Sequence, residues 1–300
     1  MARREFKSDM FDWIRTRLPE RWQKDHPFVP VVRLSGAIGM VTPLRPGLSL
    51  ASCAPALAKA FSYKHAPAVA IIVNSPGGSP VQSRLIYQRI RALAEEKEKQ
   101  VFVFVEDVAA SGGYLIALAG DEIVVDPSSI VGSIGVVAAT FGFTEAMKKL
   151  GVERRVYTSG EHKVMLDPFQ PVDEEDVAHL KALQAEIHET FIDLVKERRG
   201  DILQDDVDLF NGRYWTGQQA QGFGLVDKIG DLRGVLRERY GPDVKFKLIS
   251  SDRSFLMRRG GARGATIAAG PDGVRLEASG LADDLVSTLE ERALWARYGL

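Results

Sequence analysis

The sequence predicts an α/β domain built on a largely parallel sheet. Two apolar, β-branched runs carry that expectation, Val69–Val73 and Val101–Val105. Neither alternates with polar residues, the pattern of strands buried on both faces. Each ends in a cluster of small residues, Asn74-Ser-Pro-Gly-Gly78 after the first and Ala109-Ala-Ser-Gly-Gly-Tyr114 after the second. Each cluster leads into a helical pattern, and strand followed by helix, repeated, is the pattern of βαβ units.

In chain order, residues 1–28 read as an N-terminal amphipathic arm. Phe6, Met10, Trp13, Ile14 and Leu18 recur at helical spacing among Arg3, Arg4, Lys7, Arg15 and Arg17, with Asp9 and Asp12 interrupting the basic face. Such a helix packs on the protein's own body or a neighbour, or makes peripheral contact with a membrane. Pro19 and the Pro27–Pro30 stretch end it. Val29–Leu34 is a first strand, 42–49 a Pro- and Gly-bearing loop, and Leu50–Phe61 an Ala-rich helix. After Val69–Val73, a long amphipathic helix starts at Pro80, with Val81, Leu85, Ile86, Ile90 and Leu93 on one face. It ends in the charge run Glu95–Lys99.

After Val101–Val105 comes a helix over Ser111–Ala119, then a strand at Ile123–Val125. Further strands are expected within Val131–Ala139 and at Val152–Tyr157, separated by a short helix over Glu145–Leu150. Asp173 opens a helix of some 26 residues whose stripe is Val177, Leu180, Leu183, Ile187, Phe191 and Leu194, with acids on its positive N-terminal end. Thr216 and Gln219 form a capping-box pattern ahead of a short helix. The composition changes after about residue 242. Residues 258–273 are rich in Gly, Arg and Ala without periodicity, and a final helix runs from about Leu281 to Ala296. The domain organisation is then 1–28, arm; 29–242, main α/β domain; 243–300, C-terminal extension.

Composition narrows the function. The 300 residues are 45% hydrophobic and 26% charged, ordinary for a globular protein. The 39 basic residues balance 40 acidic ones, so there is no bulk electrostatic case for nucleic acid. The one cysteine, Cys53, excludes an intrachain disulfide, and the five scattered histidines show no metal-ligand spacing. No metal or cofactor is expected. No apolar run reaches the roughly 18 residues of a membrane span, and no apolar signal core follows the charged N-terminus. The expected location is cytoplasmic, at most peripheral to the inner face of the membrane.

The chemistry centres on Ser111, which follows a strand and opens a helix, where free N–H groups and the helix dipole favour developing negative charge. A serine in such a place is also a common N-cap. The amides of Gly78 and Gly112 together supply the two donors an oxyanion hole needs. A nucleophilic serine also needs a base. His26, His65, His179 and His188 lie in an arm, a loop or a long exposed helix, which leaves His162 and its neighbour Lys163. A lysine serves as base only when apolar surroundings keep it neutral, and Val164, Met165 and Leu166 follow Lys163. A solvated surface lysine fits the same residues.

Asn74-Ser-Pro-Gly-Gly78, Ala110-Ser-Gly-Gly-Tyr114, Gly132-Ser-Ile-Gly-Val136 and Ser159-Gly-Glu-His-Lys163 occur in the order and spacing of the signal peptide peptidase A (SppA/SohB-like) family. Asn211-Gly-Arg-Tyr-Trp-Thr-Gly217 and Gly224-Leu-Val-Asp227 resemble its later motifs, so the likeness covers roughly residues 29–241. The resemblance implies a crotonase/ClpP-like fold with repeated β-β-α units, a mostly parallel sheet and long helices used in assembly. It implies a serine endopeptidase with Ser111 as nucleophile, Lys163 as general base, Ser133 orienting the lysine, and Gly78 and Gly112 as oxyanion hole. Substrates would be small or unfolded apolar peptides, such as signal-peptide remnants. It also implies a homo-oligomeric ring, in a family where the lysine can reach the serine of an adjacent protomer or tandem domain, so that the dyad forms either within one chain or between two. Where many members carry a transmembrane anchor, an amphipathic arm stands here.

Two other functions fit part of this pattern. A crotonase-type acyl-CoA enzyme uses the same fold and a two-amide oxyanion hole without a serine nucleophile, and an inactive ring scaffold keeps only the assembly. A ClpP-like Ser-His-Asp peptidase is disfavoured because no histidine lies between Ser111 and Glu161.

Overall fold

The sheet is organised around its longest strand, β3 (Gln100–Ala110), which has neighbours on both sides. On one side it pairs in parallel with β2 (Ala68–Ser75), which pairs in parallel with β1 (Phe28–Ser35). On the other side the first half of β3 pairs with β4 (Glu122–Val125), and its last three residues pair with β5 (Ile130–Gly132). The computed structural model describes residues 26–39, 47–160, 162–205, 207–250, 288–289 and 291–300. The N-terminal arm before residue 26 and the Gly/Arg/Ala-rich stretch 258–273 lie outside them, as do most of the loop 42–49 and the first part of the final helix.

Three short strands complete the sheet. β6 (Tyr214–Thr216) runs antiparallel to β5, β7 (Lys228–Ile229) lies beside β4, and β8 (Lys245–Leu248) pairs in parallel with β1. Among the described strands only the β5–β6 pairing is antiparallel, so the expected mostly parallel α/β sheet is present. Val69, Ala70, Ile71, Val101, Phe102 and Val103 are fully buried, because helices cover both faces.

On one face lie α1 (Leu50–Phe61), α2 (Pro80–Lys97), α3 (Gly112–Ala117) and the end of α5 (Glu174–Arg199). On the other, α7 (Leu232–Tyr240) packs Val235 and Leu236 against Val29, Phe102 and Val124. Local chemistry sets the helix ends. Ser79 caps α2 through the Gln82 amide, and Pro80 takes the first helical position, where its missing N–H costs nothing. Asp173 caps α5 by accepting from the Glu175 and Asp176 amides. Thr216 and Gln219 form the expected capping box of α6 (Gly217–Gly222).

Three expectations are corrected. The strand within Val131–Ala139 stops at Gly132, because Gly132 (φ 111°) and Ser133 (φ 54°) turn the backbone out of the extended region. Val152–Tyr157 forms no strand: after α4 (Thr144–Leu150) the chain runs along the surface with no sheet neighbour among the described residues. Of the apolar stripe of α5 only the C-terminal end is buried, at Phe191 and Val195, and Leu183 and Ile187 stand exposed.

Asn74 explains how β2 and β3 stay matched past their irregularity. Its side chain donates to Asp107 at 2.7 Å and accepts from the Val108 amide at 3.2 Å, across the register shift between Val73 and Ser75. That shift sets where both strands end, and the site is built on those ends.

Candidate active site

Ser111 directly follows β3 and precedes α3, at φ 52° and ψ −123°. A non-glycine residue at positive φ is held there by its surroundings, at a cost of order 1–3 kcal/mol. Its amide donates to the Gly132 carbonyl at 2.8 Å, and the Leu115 amide bonds back to its own carbonyl at 3.0 Å. The side chain makes no capping bond, so the hydroxyl is not the N-cap its position allows and stays available for other chemistry.

Two amides flank it. Among the described residues neither the Gly78 nor the Gly112 N–H donates to a protein acceptor; Gly112 is the first residue of α3, where the helix leaves its N–H unpaired. The Pro76–Gly78 loop reaches this place because Gly77, at φ 103°, passes close to the serine. A Cβ on Gly77 would stand 2.8 Å from Ser111 Cβ. The loop is tied down through Ile38, whose amide donates to Gly77 O at 2.9 Å and whose carbonyl accepts from Ser79 at 2.8 Å.

Ser111 opens onto two cavities. One, of about 260 Å³, is bounded by Gly78 and Gly112 and walled by Val81, Leu115, Ile187 and Phe191, with Arg84 at its side. The other, of about 240 Å³, is more polar and brings Ser111 together with Ser133, His188, Asn211 and Arg297. Among the described residues no carboxylate lines either cavity. Ser133 is buried, and its amide donates to Arg213 O on the way into β6 at 2.7 Å.

The structure thus brings Ser111, Ser133, Gly78 and Gly112 to one place and leaves Lys163 out of it. Lys163 is exposed in a turn, its amide bonded to Gly160 O at 3.4 Å, and lines neither cavity. Its neighbour His162 faces Asp176 at 3.9 Å. Around Lys163, the stretch from Val137 to Val172 exposes Phe141, Leu150, Tyr157 and Val172, each more than 70% accessible.

Three residues at the site are ones that sequence reasoning set aside or missed. His188 gives its Nε2–H to the Ile134 carbonyl at 3.1 Å, which faces its part of α5 inward. Arg297 and Tyr298 arrive from the C-terminal segment, and the Tyr298 hydroxyl lies 3.3 Å from Ser133 Oγ. The one signal for His188 was its place beside Ile187 of the apolar stripe. Nothing local marks Arg297 or Tyr298.

Among the described residues no cluster of three His, Cys, Asp or Glu could hold an ion. No described helix is long and apolar enough to cross a membrane.

Residues 94–240 match a family model described as Peptidase family S49. Over 284 residues the chain is 61% identical to a protein named Na(+)/H(+) antiporter NhaA of Brucella abortus, covering 94% of this chain and 38% of that protein. It is 34% identical to a putative protease of Synechocystis sp., over 57% of this chain and 61% of that protein. It is 32% identical to Protease 4 of Haemophilus influenzae, over 76% of this chain and 37% of that protein. The chain thus spans less than two fifths of the length of the Brucella relative.

Proposed function

The chain belongs to the SppA/SohB-like peptidase family S49, and on that premise we propose that it is a serine endopeptidase working through a Ser111–Lys163 dyad. Its mostly parallel sheet with helices on both faces is the crotonase/ClpP-like fold of that family. One observation carries the assignment of Ser111: an uncapped hydroxyl at positive φ, set between two amides without a protein acceptor among the described residues.

In the proposed cycle neutral Lys163 takes the Ser111 proton as Oγ attacks the peptide carbonyl. The Gly78 and Gly112 amides hold the oxyanion. Lys163, now an ammonium, protonates the leaving amine, and an acyl-enzyme remains on Ser111. A water molecule then gives its proton to Lys163 as it attacks the ester, and Ser111 leaves with that proton restored. Ser133, in the cavity beside Ser111, receives the lysine amine and orients it.

Lys163 reaches that cavity in this proposal from another copy of the chain, in a homo-oligomeric ring. The apolar side chains exposed between Val137 and Val172 support it, since a surface run of this kind on a folded body marks an interaction site. Burial of the run against a neighbour would supply the apolar surroundings that a basic lysine requires. The cavity walled by Val81, Leu115, Ile187 and Phe191 suits apolar side chains, so small or unfolded apolar peptides are the proposed substrates. A cytoplasmic location, at most peripheral to a membrane, goes with that proposal.

A Ser–His peptidase is the second reading, favoured by the presence of His188 in the cavity with Ser111 and Ser133. A fluorophosphonate probe, applied to wild type, Ser111→Ala, Lys163→Ala and His188→Ala with particle size measured alongside, separates them. Labelling lost in Ser111→Ala and Lys163→Ala and kept in His188→Ala supports the dyad. Labelling that survives Lys163→Ala and vanishes in His188→Ala transfers the base to the histidine. Turnover of acyl-CoA in place of peptides would sink both.

A further inference from the structure

The hydroxyl of Tyr298 stands within reach of two oxygens, one of them on a residue that lines the polar cavity beside Ser111. It is 3.4 Å from the Pro76 carbonyl, at the start of the loop that carries the Gly78 amide, and 3.3 Å from Ser133 Oγ. Both distances exceed the ~2.8 Å usual for hydroxyl bonds, so the group bridges two partners instead of closing on one. Its ring is held in place by β6. The Tyr214 ring meets it edge-on at 5.1 Å, and the Tyr214 hydroxyl donates to Arg297 O at 3.1 Å. The same strand end anchors Ser133, through Arg213 O.

One assignment of protons gives every group of this bridge a partner. A phenol has one proton, and a backbone carbonyl can only accept. With the Tyr298 proton given to Pro76 O, the Ser133 proton goes to the Tyr298 oxygen, and all three groups have a partner. Ser133 Oγ then offers only lone pairs to the cavity. An amine arriving there must donate an N–H to Ser133, which leaves its own lone pair free to face the Ser111 proton. With the opposite polarity Ser133 would donate to that lone pair and block it.

We infer that Tyr298 is a positioning residue of the peptidase reaction: it orients the Ser133 hydroxyl so that Ser133 accepts from the general-base amine, and it ties the oxyanion loop to that serine. The inference rests on the Ser–Lys assignment, and it gives the C-terminal segment a part in the site.

The test uses the full chain, a fluorogenic Ala- and Leu-rich peptide, and the rate of fluorophosphonate labelling. Tyr298→Phe keeps the ring against Tyr214 and removes only the hydroxyl. It should lower kcat and the labelling rate about tenfold, the loss expected for one hydrogen bond, with KM within about twofold of wild type. In a Ser133→Ala background the same change should have no further effect, because the two act as one unit. An unchanged rate in Tyr298→Phe, or an additive loss in the double variant, overturns the inference while leaving the dyad intact. A faster rate in Tyr298→Phe also overturns it, making the C-terminal segment a plug. If wild type neither labels nor cleaves the peptide, the Ser–Lys assignment fails first and takes this one with it.

Discussion

Ser111 and Ser133 leave adjacent parallel strands one residue past the same pair, Ala110 with Gly132, and both do so at positive φ. Two strained serines side by side make a shared cavity where two regular strand ends would have made a flat edge. The Ser111 amide, bonded to Gly132 O, locks the two departures together.

That strain is measurable. Ser111→Gly should be more stable than Ser111→Ala by about 1 kcal/mol, because glycine adopts positive φ freely and alanine does not. Both variants should lose probe labelling. Denaturant midpoints of the two inactive proteins, compared directly, check it; equal midpoints would mean that Ser111 carries no backbone strain.

Sharing of the dyad between copies predicts complementation. Ser111→Ala and Lys163→Ala proteins, inactive alone, should recover activity when unfolded together and refolded as a mixture. Random pairing sets an intact serine beside an intact lysine at about one junction in four, so about a quarter of the wild-type rate is expected. A mixture as inactive as its parts would place both residues of each dyad on one chain.

Asp227, at the end of Gly224-Leu-Val-Asp227, serves the scaffold. Its two carboxylate oxygens accept from Arg199 Nη1 at 2.8 and 3.0 Å, and one of them also accepts from the Ile123 amide at 2.7 Å, while Arg199 is 7% exposed. Asp227→Ala should destabilise the fold by about 3–5 kcal/mol, since it leaves a buried guanidinium unpaired. Chemical denaturation measures this. Neither residue lines the two cavities at Ser111, so the fraction still folded should label normally.

Cys53 gives a pH-dependent prediction. Burial pushes its thiol up to about 11, against a weaker opposing effect of its backbone hydrogen bond. The folded state therefore favours the neutral thiol. Its contribution to stability is full below the unfolded-chain value near 8.5 and is lost as pH rises through about 11. Between those limits the wild type should lose stability that Cys53→Ala does not lose. Native protein at pH 8 should also resist alkylation at this thiol.

Sequence patterns served well where structure is local. The buried strands β2 and β3, the helices α1, α2 and α5, and the Thr216 capping box follow from periodicity and cap chemistry. Ser111, Gly78 and Gly112 were legible because small residues after buried strands are a local signal. The same reasoning failed at Val152–Tyr157, a half-charged stretch that has no strand beside it among the described residues. Period alone cannot supply a partner. Tyr298 and Ser133 are 165 positions apart, and their contact depends on how β6 seats the C-terminal segment. No pattern within a window of residues encodes that.

The strand β8 has a consequence for how copies of the chain can join. Among the described strands it sits at the outer end of the β6-β5-β3-β2-β1-β8 path, and it is four residues long, Lys245-Phe-Lys-Leu248. A short edge bearing two lysines resists docking by a foreign strand. Continuous sheet growth from molecule to molecule is thereby discouraged on that side.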